Sequence, residues 1–107
     1  MTHKIIISLA IFTFVFTLFG CKSQTEIAAE RGNALAQLKL GKMYDEGDGI
    51  EENKVYAYMW MNLAMSQGLG DTASKHRERI AKDMTSSQIE EAEKLSIQCK
   101  EKGYKEC

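Results

Sequence analysis

The stretch from Ala28 to Gly68 constrains the chain most. Small residues four apart, Ala28, Gly32 and Ala36, return as Ala64, Gly68 and Thr72-Ala73 after 36 residues, and as Cys99, Gly103 and Cys107 after 35 more. A period of this length, with helical spacing inside each unit, predicts an all-α chain built as a short helix-turn-helix solenoid. The chain contains no proline, which suits nearly continuous helix.

Local signals mark the helices. Asn33 is a candidate N-cap for a first main helix over 34–46. In it Ala36, Leu40, Met43 and Tyr44 fall at i, i+4, i+7 and i+8, one helical face. Gly41 lies inside this helix, where glycine costs about 1 kcal/mol relative to alanine. Close approach of a partner helix carrying Ala57 and Ala64 is a physical reason for it. Gly47-Asp48-Gly49 ends the helix as an inter-helix turn. No Lys-Ser/Thr follows it, and acids surround it, so it does not read as a phosphate loop.

Asn53 can cap a second helix over 54–67. From Val55 to Met65 only Asn62 is a polar residue. A helix apolar all round is buried on several sides. Ala57, Trp60, Met61 and Ala64 share one face, and Tyr56, Met59 and Leu63 another. Tyr58 and Met65 form a third stripe, more than so short a chain is expected to cover. Tyr44, Tyr58, Met59 and Met65 are therefore the candidate partner-binding residues, because tyrosine and methionine present large, adaptable apolar area. A third helix is expected from an Asp71 N-cap to about Asp83, with a narrow stripe of Ala73, Ile80 and Met84. Thr85 and Gln88 form a capping box for a last helix over 86–102.

Ala29, Gly32, Asn33, Ala36, Gln37, Leu40, Gly41, Met43, Tyr44, Gly47, Gly49, Ile50, Ala57, Trp60, Ala64 and Gly68 together resemble the SEL-one-like repeat, a relative of the tetratricopeptide repeat. The resemblance assigns residues 28–70 to one full repeat and 71–107 to C-terminal capping helices. It implies a helix-pair fold used for binding other proteins, and no particular substrate.

The N-terminus carries a separate message. A short basic start ending at Lys4 precedes fifteen nearly continuous apolar residues, Ile5 to Phe19. This reads as a secretory signal peptide over 1–20. Fifteen residues fall short of the ~20 that a spanning helix needs. Cys21 directly after Gly20 resembles the junction of a bacterial lipoprotein, in which Cys21 becomes the first mature residue and carries the lipid. Phe19 departs from that pattern, where smaller residues are usual. Residues 21–27 then form a tether, and Lys22 in place of an aspartate implies the outer membrane, facing the periplasm.

With Cys21 lipidated, Cys99 and Cys107 remain, and two thiols outside the cytoplasm are expected to pair. Cysteine-rich relatives of the repeat family carry bridges at the same C-x7-C spacing. A redox-active pair is the alternative, but C-x-x-C spacing is absent.

Formal net charge is −1, and with Lys4 as the one charged residue of the first twenty, the rest carries −2. That balance argues against nucleic acid as a partner. His76 is the one histidine downstream of the signal, no serine has a lysine three residues on, and no metal or cofactor motif occurs. The expectation is a non-enzymatic, lipid-anchored envelope adaptor for a protein or peptide partner. The alternative is an envelope hydrolase acting on cell-wall or β-lactam compounds, which has family analogy alone behind it.

Overall fold

The computed structural model describes residues 22–107. The expected signal peptide and Cys21 lie outside the described residues. All regular structure among the described residues is helical: α1 (Gln24–Glu30), α2 (Ala34–Glu46), α3 (Lys54–Ser66), α4 (Gly70–Ala81) and α5 (Ser86–Glu101). No helix among them is long and apolar enough to cross a membrane.

The caps explain most of the boundaries. Asn33 accepts from the Ala36 N–H at 2.9 Å and Asn53 from the Tyr56 N–H at 3.0 Å. Thr85 and Gln88 close the expected capping box. The tether is shorter than its expected span of 21–27, because Ser23 and Glu26 form another capping box and helix begins at Gln24. Asp71 does not cap α4. The cap position is Leu69, with no side-chain hydrogen bond, and Asp71 sits in the first turn, where its charge favours the helix dipole.

The helices α1, α2, α3 and α5 end in the same hydrogen-bonded turn. In each, the residue after a glycine donates five residues back: Asn33 N to Ala28 O at 3.1 Å, Asp48 N to Met43 O at 3.0 Å, Leu69 N to Ala64 O at 3.2 Å, and Tyr104 N to Cys99 O at 2.9 Å. Gly32, Gly47, Gly68 and Gly103 occupy the left-handed position that this Schellman turn requires.

Helix α3 is the centre of the molecule. It runs antiparallel to α2, so that Tyr56 meets Tyr44 edge-on at 5.4 Å between ring centroids and Lys54 lies against Asp45. Gly41 allows the approach: a Cβ there would stand 3.2 Å from the Ala57 carbonyl and 3.0 Å from Met61 Cε. Ala57 is thus one of the two expected partners, and Met61 takes the place expected of Ala64.

One side of α3 (Ala57, Tyr58, Met61, Ala64) packs with Ala73 and Ile80 of α4 and Ala92 of α5. The other (Met59, Trp60, Leu63) packs with Ala29 of α1, Leu40 of α2 and Cys99 of α5. Burial on both sides follows from its all-round apolar surface. A polar chain crosses the packing: Arg77 donates to Asn62 Oδ1 at 2.8 Å, Asn62 donates to Ser96 Oγ at 3.0 Å, and Ser96 donates to Ala92 O at 2.7 Å. Buried Gln37 ties α2 to α1 through the Ala29 carbonyl at 3.1 Å.

Candidate functional site

The four residues expected to meet a partner separate. Tyr58 is 7% exposed and Met59 1%, so neither offers a surface. Helix α4 folds over Tyr58, placing the Arg77 guanidinium 5.5 Å from its ring centroid. Met59 is closed in by Leu95 and Cys99 of α5 and by the chain's last residues. Met65 is half-buried against the α4 side of the core. Tyr44, half-buried on α2, is the one of the four that opens onto a cleft.

That cleft, of about 230 Å³, has Leu40, Tyr44 and Trp60 as its apolar lining. Helix α1 forms one wall with Glu26 and Glu30, and the C-terminal tail forms another with Glu106 and Cys107. Lys22 is ion-paired with Glu30. The hydrogen bond to Glu30 raises the Lys22 ammonium above its ordinary pKa of 10.5; desolvation opposes it, and the charges of Glu30, Glu106 and Glu26 add to the rise. Burial raises the Tyr44 phenol above its ordinary pKa of 10.0, and Glu26 and Tyr56 push the same way. The Cys99 and Cys107 sulfurs are a close pair beside this cleft, with Cα atoms 5.4 Å apart.

A second concavity lies on the outer side of α2. It holds about 280 Å³ and is lined by Leu35, Leu38 and Met43 together with Lys39, Lys42 and Glu46. Leu35 is 67% exposed, one of two large apolar side chains left open among the described residues, with Ile97 of α5 at 63%. The stripe Ala36, Leu40, Met43 and Tyr44 accounts for the inward face of α2 and leaves Leu35 outside it. The available signal was a leucine off that stripe, at i−4 from Lys39.

The acids of the turn are not gathered into one site. Asp45 accepts from Lys54 Nζ at 2.6 Å, and Arg79 stands 3.9 Å from its other oxygen. That hydrogen bond raises the Lys54 pKa above 10.5. Neighbouring His76 is held below its ordinary 6.5, first by desolvation and then by Arg79 and Lys42. No group of three or more His, Cys, Asp or Glu among the described residues is placed to hold a metal ion. Comparison with family models, with curated proteins and with solved structures finds no match for the chain.

Proposed function

We propose that the chain is a non-enzymatic bacterial envelope lipoprotein of SEL-one-like type that holds a protein or peptide partner on the outer side of α2. In this reading Cys21 is lipidated and anchors the chain to the outer membrane, facing the periplasm. Cys99 and Cys107 form a disulfide, and the helices form a short solenoid. The return of the small-residue pattern after 36 and then 35 residues supports the solenoid. So does the packing of α3 against both α2 and α4, its neighbours in sequence.

The observation that carries the adaptor reading is exposed Leu35, set with Leu38 and Met43 in a concavity edged by Lys39, Lys42, Glu46 and Asp48. An apolar anchor with adjacent charge gives a partner both affinity and register. The test is crosslinking of the tagged, lipidated protein in intact cells, with Leu35→Asp and Lys42→Glu beside the parent. The expected result is one dominant crosslinked partner that both variants lose. Leu35 is exposed, so Leu35→Asp should stay within about 0.5 kcal/mol of the parent's folding stability; Lys42 is half-buried, so the stability of Lys42→Glu is measured beside the crosslinking. A partner retained at full yield by both variants would remove α2 as the surface.

A further inference from the structure

We infer that the C-terminal tail is a lid over Trp60, locked by the Cys99–Cys107 link and released by a dithiol reductant. The inference rests on the disulfide and envelope reading proposed above, and adds a moving part to it.

The geometry starts at the end of α5. Gly103 turns the chain, and Tyr104 and Glu106 then hold left-handed backbone angles, φ 68° and 56°, although neither is glycine. Side chains rarely adopt this conformation unless the surroundings impose it. The effect is to fold the last residues back across α3. Tyr104 and Cys107 pack on the cluster that contains Met59 and Trp60, and Glu106 and Cys107 wall the cleft that Trp60 lines.

Few contacts hold that fold-back. Tyr104 is tied through its N–H to Cys99 O at 2.9 Å and through its hydroxyl to Gln67 at 2.7 Å. Beyond Tyr104, no hydrogen bond ties the described tail down: Cys107 Sγ lies 3.7 Å from Lys105 O, but in the disulfide it has no proton to donate. Apolar packing of Tyr104 and Cys107 and the charge of Lys22 near Glu106 also act on the tail, and the sulfur pair is the covalent tie that holds residues 105–107 against an unfavourable backbone conformation. Without it, the tail relaxes away and the cleft opens.

The two sulfurs are unequal. Cys99 is buried and Cys107 half-buried, so a reductant thiolate reaches Cys107 first. Its sulfur bonds to Cys107 Sγ as the Cys99–Cys107 bond breaks, and Cys99 leaves as a thiolate that takes up a proton. The second thiol of the dithiol then attacks the mixed disulfide, and Cys107 departs and is protonated. Two electrons and two protons pass to the protein, and the reductant ends as a disulfide.

Trp60 is the only tryptophan of the chain and is 4% exposed, so its fluorescence reports the lid without labels. The experiment uses the full chain purified in detergent micelles. Thiols are first counted by alkylation under denaturing conditions. Acrylamide quenching and far-UV circular dichroism are then recorded before and after dithiothreitol, for the parent and for Cys107→Ser. Reduction should raise the Trp60 quenching constant several-fold with the helical signal unchanged. Cys107→Ser should start in the quenched state and not respond. Unchanged quenching with both thiols shown free would overturn the lid while leaving the disulfide standing. Exposure that rises together with loss of helix would overturn it too, since the link would then hold the fold. Two alkylatable thiols before any reductant would remove the disulfide and the lid together.

Discussion

Gly41 and Gly70 are both helical glycines, and opposite outcomes are expected from replacing them with alanine. Helix propensity favours alanine by about 1 kcal/mol in a helix interior, as at Gly41, whereas Gly70 opens α4. At Gly41 the new Cβ would meet the Ala57 carbonyl at 3.2 Å, and backbone in a packed helix pair cannot move aside cheaply. Overpacking costs about 1–3 kcal/mol, so Gly41→Ala should lower the thermal midpoint. At Gly70 a Cβ meets nothing within 4 Å, so Gly70→Ala should raise it, by up to about 1 kcal/mol of stability. His76 gives a pH prediction at the same scale. Its folded pKa lies below the unfolded 6.5, so the unfolded chain binds its proton first as pH falls. Stability is then retained above 6.5 and lost as pH drops through that folded value. His76→Gln should flatten the fall in thermal midpoint between about pH 7 and pH 5. At this scale much was legible in advance. Asn33, Asn53 and Thr85 were expected caps, because a cap is a hydrogen bond to a backbone three residues away. Ser23 obeys the same S-x-x-E rule and was read as tether because the residues around it are polar.

Among the elements, α3 is the one that the rest must cover, and the polar chain through Asn62 shows how α4 and α5 are oriented upon it. Asn62 is the one polar residue in its apolar run, and it uses both ends of its amide, accepting from Arg77 and donating to Ser96. Asn62→Ala leaves Arg77 without that acceptor and Ser96 without that donor. The expected loss is about 1–3 kcal/mol, read by urea denaturation. A cycle with Arg77→Met should show the two effects to be less than additive, since they share one bond. Helix α4 depends on few apolar anchors, Ala73 and Ile80. Ile80→Ala should therefore cost about 2–5 kcal/mol, and the same measurement checks it. The narrow stripe of α4 was visible from the sequence. That Arg77 would lie over Tyr58 and cover it was not, since the two residues belong to different helices.

For the whole molecule, the consequence is that apolar surface ends up elsewhere than the richest apolar run suggests. The Tyr/Met stripe of α3 looked surplus, and α4 and the tail bury its Tyr58 and Met59. What stays open is Leu35, on a helix whose main stripe already faces inward, and Ile97 on α5. The same whole-molecule closure brings together the N-terminal Lys22, the acids of α1 and the C-terminal Glu106 around one cleft, residues some eighty positions apart in the chain.

Residue order alone is enough to make the chain helical, to place the starts of α2, α3 and α5 at Asn33, Asn53 and Thr85, and to bury α3 on more than one side. Caps, glycine turns and apolar spacing act over three to five residues, and local hydrogen bonding and sterics decide them. Only the tertiary structure decided which apolar residues remain exposed and where the tail lies. Exposure is what is left after elements distant in sequence have covered their share, and the tail is held by contacts that reach back to Gln67 and Trp60.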